Sequence, residues 1–253
     1  MYDARHQFEP LLPAPAKQEA LLATAHDLAR SATQLAGLPV AGELRGLLRG
    51  MNSYYTNRIE GQHTRPLEIE QALARNFSDN KALAARQRLA IAHIDAEAAI
   101  EQRYSGESGG RQLYAAAAVR DIHRELFSRL PPEDLVTSES EPVVAGELRQ
   151  REVQVGHHFA PAHASVPALL ERWGQFYGDI RRGEAALLAL AAAHQRLGWV
   201  HPFIDGNGRV MRLHTHAVLA ALGYTNGLWS PLRGFARSVD SDEAWRADLR
   251  RIA

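Results

Sequence analysis

The chain has 253 residues, 45% of them hydrophobic and 23% charged, which suits an ordinary globular protein with one good-sized core or two small domains. Its 29 basic and 29 acidic residues cancel, so no global field steers it to nucleic acid or lipid. It has no cysteine, which excludes disulfides and thiolate metal sites and makes a reducing, cytoplasmic address the expectation. No apolar run approaches the roughly 18 residues of a membrane span, and the N-terminus lacks a basic-then-apolar signal.

In chain order, Pro10, Pro13 and Pro15 make residues 1–16 an extended arm. An Ala/Leu-rich helix follows over 17–36 and Gly37-Leu38-Pro39 breaks it. A second helix runs from Glu43 to about Glu60 through Leu44, Leu47, Leu48, Met51, Tyr55 and Ile59. Thr56 and Glu60 share one face near its end, and Gly61 is placed to cap it. A carboxylate there opposes the helix dipole and is more comfortable beside a cation, although an exposed Glu before a capping Gly is the ordinary meaning of such a sequence.

Residues 67–101 read as one helix with Leu83, Leu89, Ile91 and Ile94 in the core. Tyr104–Gly110 is small and flexible and reads as the linker between an N-terminal helical region, 1–104, and a core, 105–253. Residues 111–130 read as one helix, with Leu113, Val119, Ile122 and Leu126 on its buried face, and Pro131-Pro132 ends it. The one β signal is at 142–161, where Glu152-Val153-Gln154-Val155 alternates and Ala145-Gly146 offers a turn. His157, His158, His163, His194, His214 and His216 invite a metal claim. However, rings at 214 and 216 on a helix point to different sides, so structural or surface histidines are the reading. Ser238–Asp242 precedes a last short helix around Trp245.

The richest stretch is His201-Pro202-Phe203-Ile204-Asp205-Gly206-Asn207-Gly208-Arg209-Val210-Met211-Arg212. Leu187, Leu188, Leu190, Ala191, His194 and Leu197 lead into it at helical spacing, and Pro202 marks His201 as a helix boundary. A helical pattern resumes from Val210 to Leu222, with Gly223 as its stop. Gly206-Asn207-Gly208 thus opens a helix whose first N–H groups have no intrahelical acceptor and carry the positive dipole end, a ready anion site. Arg209 and Arg212, three apart, can pair with phosphate oxygens, and Asp205 can hold Mg²⁺ against them. His201, with an unperturbed pKa near 6.5, can take a proton from an attacking hydroxyl. These groups in combination point to phosphate transfer from a nucleotide.

This stretch resembles the signature of the Fic family, His-Pro-Phe-x-Asp/Glu-Gly-Asn-Gly-Arg-x-x-Arg, and matches it at every specified position. The resemblance covers roughly residues 50–240 and implies an all-α Fic fold, a helical bundle with a β-hairpin flap beside the active site. It implies a protein adenylyltransferase that moves AMP from ATP to a Ser, Thr or Tyr hydroxyl of a target protein, with Mg²⁺. His201 would be the general base, Phe203 the loop's anchor and Asp205 the metal ligand. Gly206, Asn207 and Gly208 would cradle the α- and β-phosphates, with Arg209 on those phosphates and Arg212 on the γ-phosphate. Gly208 favours nucleotidyl transfer over a kinase-like branch that carries Lys there.

Thr56, Glu60 and Gly61 satisfy the family's inhibitory marker, Ser/Thr-x-x-x-Glu-Gly/Asn, within a helix of about 43–61. The resemblance implies that Glu60 pairs with Arg212 and blocks the γ-phosphate position in cis. It also makes 142–161 the flap, with Val153 and Val155 touching the target or the adenine. Asp242-Glu243 stand where relatives often carry a tyrosine near the adenine, and the winged helix found after the core in many relatives is not expected here. Many relatives dimerise, which leaves a homodimer open. The alternatives are removal of AMP from a modified target, transfer of another nucleotide or phosphate-linked group, and a non-catalytic nucleotide-binding module.

Overall fold

A computed structural model describes residues 12–35, 41–179 and 183–240. Among them are ten α-helices and one two-stranded sheet: α1 Pro15–Leu35, α2 Ala41–Ile59, α3 Pro66–Leu73, α4 Lys81–Arg103, α5 Gly106–Gln112 and α6 Ala116–Phe127, then β1 Gln154–Val155 and β2 His158–Phe159, then α7 Val166–Tyr177, α8 Glu184–Val200, α9 Asn207–Ala221 and α10 Leu232–Asp240. The all-α class with one small hairpin is therefore observed. The Pro-rich arm before residue 12, the Gly37-Leu38-Pro39 break, Asp242-Glu243 and the helix around Trp245 lie outside the described residues. No described helix is long and apolar enough to cross a membrane.

By packing, the chain forms two compact units. One takes the chain up to Pro39 together with Ala96–Asn226, and the other takes Val40–Asp95 together with the chain from Gly227. In the first, α8 packs against α1, α7 and α9, and α9 also meets α5 and α6. Its core is built on the fully buried Leu113, Ile122, Leu126, Leu169, Leu170, Trp173, Tyr177, Leu197 and Leu213. The Trp173 indole N–H donates to the Ala193 carbonyl at 3.0 Å, so the largest ring is buried without an orphaned donor. Val166, Leu169, Leu170, Trp173 and Tyr177 line the buried side of α7 at helical spacing. In the second unit α2 packs against α3 and α10, and the Ser53 hydroxyl donates to the Ala90 carbonyl at 2.9 Å.

The end of α2 closes as expected. Gly61, at φ 72°, donates to Arg58 O at 3.0 Å, and Gln62 donates to Asn57 O at 2.9 Å, a left-handed helix stop. Thr56 is buried on α2, whereas Glu60 is exposed in the turn just past it.

Five expectations need correction. The helix expected over 111–130 begins only at Ala116, and Leu113 instead is the C-cap of α5. The single helix over 67–101 is two, α3 and α4, because Arg75 turns left-handed at φ 60° and the Asn80 side chain caps α4 by accepting from Leu83 N–H at 3.1 Å. The Gln87 amide holds that break, taking Ser78 N–H at 2.8 Å and donating to Glu68 O at 2.9 Å. Of the four core positions chosen on α4 only Ile91 is buried; the buried stripe runs through Ala84, Gln87, Ala90, Ala92, Ala96 and Ile100. The Tyr104–Gly110 linker contains the start of α5, which packs so closely on Tyr104 that any side chain at Gly109 would overlap its carbonyl. Here glycine serves close approach and not flexibility. Finally, Ser238–Asp240 belong to α10.

Candidate active site

Helix α8 delivers the chain to His201, which caps it in the left-handed conformation at φ 49° and ψ 63°. A non-glycine residue there costs about 1–2 kcal/mol, so its surroundings must hold it. Arg149 does so: its backbone N–H donates to Pro202 O at 2.9 Å and its side-chain Nε donates to His201 O at 2.8 Å. The His201 side chain is half-buried.

Phe203 is fully buried beneath the loop. Its ring stacks on His123 at 4.0 Å between centroids, and His123 stacks on Phe127 at 4.4 Å. Both nitrogens of His123 are engaged. Nδ1 accepts the Gly146 N–H at 2.8 Å, which leaves the proton on Nε2 to donate to Asp205 O at 3.3 Å. Burial pushes this imidazole down to about 4, so it is a neutral linker at physiological pH. Nothing in the sequence set His123 apart, since a lone His beside apolar helix residues has no spacing signal.

Asn207, the first residue of α9, turns its side chain back into the loop. Its Oδ1 accepts Phe203 N–H at 2.9 Å and its Nδ2 donates to Phe203 O at 2.8 Å. The amide is consumed in closing the loop, so toward an anion Asn207 offers its backbone. Gly206 precedes it at φ 77°, and its N–H points to Asp205 Oδ1 at 2.6 Å. A side chain at Gly206 would overlap the Phe127 ring. Gly206→Ala is therefore expected to destabilise the fold by about 2–4 kcal/mol, the left-handed penalty plus overpacking. Urea unfolding checks this, and a loss below about 1 kcal/mol would contradict the packing described.

Asp205 is half-buried. One carboxylate oxygen is tied to Gly206 while the rest of its acceptor capacity stays open, a hard oxygen donor beside a helix N-terminus that fits Mg²⁺ bound with substrate phosphates. Gly208 is half-buried in the first turn of α9, where N–H groups lack intrahelical acceptors. Arg209 and Arg212 lie buried on the same helix. Next to Arg212, His194 is pushed down to about 3 by burial, then by the Arg212 and His214 charges. Such a loop can hold a polyphosphate at a helix N-terminus with cationic support, beside a solvent-accessible imidazole.

The flap region holds the hairpin, with Gln154 opposite Phe159 and Val155 opposite His158 around Gly156 at φ 59°. Val155 and Phe159 are 45% and 57% exposed, and Val153 is half-buried at the stem, where its carbonyl accepts Ala160 N–H at 3.1 Å. The hairpin shares the signature loop's unit, whereas α2 with Thr56, Glu60 and Gly61 belongs to the other.

Five of the six histidines that invite a metal claim have partners. His158 Nε2 donates to Trp199 O at 2.9 Å, His163 pairs with Glu152 at 2.9 Å and His194 Nδ1 meets the Thr215 hydroxyl at 2.7 Å. His214 and His216 do point apart, to Leu113 O at 3.1 Å and to Glu101 at 2.7 Å. With Glu97, 3.6 Å away, His216 and Glu101 form the group of metal-type donors found among the described residues; the contact with Glu101 is a hydrogen bond and the longer one with Glu97 lies only in ion-pair range.

Residues 114–219, which include the flap and the signature loop, match the model of the Fic/DOC family. Among curated proteins, the protein adenylyltransferase Fic of Drosophila mojavensis is 31% identical over 127 residues, 49% of this chain and 23% of that protein. Its counterpart in Drosophila ananassae is 34% identical over 107 residues, 42% of this chain and 20% of that protein. The chain thus spans less than a quarter of the length of these relatives, at 23% and 20%. Among solved structures, a Fic family protein from Desulfovibrio desulfuricans superposes with a TM-score of 0.65 at 18% identity, covering 94% of this chain and 70% of that one. Fic-1 of C. elegans does so with a TM-score of 0.58 at 18% identity, covering 94% and 74%. These two likenesses are of fold.

Proposed function

We propose, from the premise that the chain belongs to the Fic/DOC family through its domain at residues 114–219, that it is a protein adenylyltransferase acting on a Ser, Thr or Tyr hydroxyl of a target protein. The observation that carries this reading is the loop between α8 and α9, which sets a left-handed His201 ahead of a helix N-terminus bearing buried Arg209 and Arg212.

In the proposed reaction the target oxygen attacks the α-phosphorus of ATP. The bond from that phosphorus to the bridging oxygen breaks, pyrophosphate leaves, and AMP ends on the target. His201 takes the hydroxyl proton. The N–H groups of Asn207 and Gly208, with Arg209, hold the α- and β-phosphates, and Arg212 holds the γ-phosphate. Asp205 is the residue that would hold Mg²⁺, whose charge neutralises the phosphates when bound. Phosphoryl-type transfer needs little else from a protein than positioning and charge stabilisation. Val153 and Val155 line the strand that aligns the target backbone, a use suited to an exposed two-stranded edge. A cysteine-free chain of this kind fits a cytoplasmic setting.

In the same reading residues 1–104 are regulatory and 105–253 catalytic. Thr56 and Glu60 form the inhibitory marker, with Glu60 pairing with Arg212 so that ATP sits unproductively. The test is incorporation of label from α-³²P-ATP with Mg²⁺, read as self-labelling of the parent chain and of Glu60→Gly. Release of a ground-state block is expected to raise labelling at least about tenfold. Equal labelling of the two chains would remove the inhibitory assignment. Silence of both with ATP, together with labelling from UTP or GTP, would change the nucleotide. Release of AMP from a pre-modified protein would replace transfer by its reversal.

A further inference from the structure

Arg149 has no role in the reaction as set out above, yet its surroundings are unlike those of an ordinary structural arginine. The residue is 3% exposed, and its side-chain donors go almost wholly to backbone carbonyls. Nε donates to His201 O at 2.8 Å and Nη1 to Arg151 O at 2.8 Å. Nη2 donates to Pro161 O and, at 3.5 Å, to Val200 O. Glu152 adds a carboxylate at 3.6 Å from Nη1. The Arg149 backbone N–H reaches Pro202 O at 2.9 Å.

These acceptors fall into two sets. Val200 and His201 are the last carbonyls of α8, the negative end of its dipole, where a cation is favoured. Arg151 and Pro161 flank the β1–β2 hairpin on its two sides. One planar guanidinium therefore ties both stems of the hairpin to the strained end of the helix that carries His201. His158 adds a second tie on the same side, donating from Nε2 to Trp199 O at 2.9 Å.

We propose that Arg149 is a positioning residue that holds the target-aligning hairpin and the His201 backbone in one fixed register. The hydroxyl brought in by the hairpin then meets the imidazole without a search. The inference rests on the adenylyltransferase reading for its effect on rate, though not for its effect on the hairpin. Lysine should not replace Arg149, because a tetrahedral ammonium on a flexible stem cannot present five donors in a plane to carbonyls on both sides.

The experiment uses the full chain in the Glu60→Gly background, with Arg149→Lys and Arg149→Ala. Three quantities are read: ATP affinity by calorimetry, label transfer at saturating α-³²P-ATP, and amide hydrogen exchange of the 149–161 peptide. Both variants are expected to keep ATP affinity within about twofold, to lose transfer by about ten- to a hundredfold, and to exchange the hairpin at least about tenfold faster. Lys at full activity with parental exchange would overturn the proposal, since charge alone would then suffice. A fall in ATP affinity parallel to the fall in transfer would also overturn it, in favour of a general structural role. Should Arg149→Ala fail to fold, Arg149→Lys carries the same readouts. If the Glu60→Gly background transfers no label at all, the adenylyltransferase reading has failed, and exchange of the hairpin alone decides whether Arg149 clamps it.

Discussion

In the Glu60→Gly background, His201→Ala is expected to lower transfer of labelled AMP by about 10²- to 10⁴-fold, the usual contribution of a positioned general base. ATP binding should survive, because the groups proposed to hold the phosphates begin at Asn207, the first residue of α9, and continue along that helix. Stability needs separate accounting. His201 sits at φ 49°, where alanine lacks the local hydrogen bonding that lets Asn visit this region. His201→Asn is therefore the better companion variant: it tolerates the left-handed cap, keeps a similar size and has no base. Both variants should lose transfer alike while Asn loses less melting temperature. Retention of transfer within about tenfold in both would show that another group accepts the proton.

Acidification from pH 7 to pH 5 is expected to cost several kcal/mol of folding stability, well above the few tenths typical of surface titrations. Three buried histidines produce it. His123 and His214 are pushed down to about 4, and His194 to about 3. Burial is the first cause for each. It is opposed at His123 by the Asp205 carbonyl and at His214 by the Leu113 carbonyl. In the unfolded chain these groups titrate near the ordinary value of about 6.5. Between that value and the folded one the unfolded state binds more protons, so stability is full above about pH 6.5 and falls as pH drops toward the folded pKa. Each group then costs roughly 2 kcal/mol at pH 5, and the three together, about 6 kcal/mol, fall within the lower part of the usual 5–15 kcal/mol of a folded domain. Denaturant unfolding at pH 7 and pH 5 measures the loss. A flat profile would mean that these rings are hydrated or paired in ways their burial does not suggest. The carboxylates held low by partners, such as Glu68 beside Arg65, act only below the usual carboxylate range and do not blur this window.

Much of the site was legible because its chemistry is local. His201 through Arg212 are consecutive, so residue type and spacing alone could specify a helix end, a turn and a helix N-terminus. The turn at Gly61 and the helices α2, α6, α8 and α9 were readable for the same reason: capping and 3.6-residue periodicity act within a few residues. The α3–α4 break is not legible in the periodicity, since Ala, Leu and Glu on both sides continue the helical pattern.

The sequence by itself determined the helical class, the positions of most helices and the loop His201–Arg212 to which the proposed base, carboxylate and arginines belong. Tertiary structure alone decided what holds that loop in shape. His123 reaches Asp205, 82 residues away, and Arg149 reaches His201, 52 residues away, to satisfy buried donors and carbonyls. It also turned an apparent Gly-rich linker into helix α5, because Gly109 meets Tyr104 too closely for any side chain. The reason is common to all three. Satisfaction of buried polar groups and close packing depend on partners distant in sequence, and no periodicity or local spacing records them.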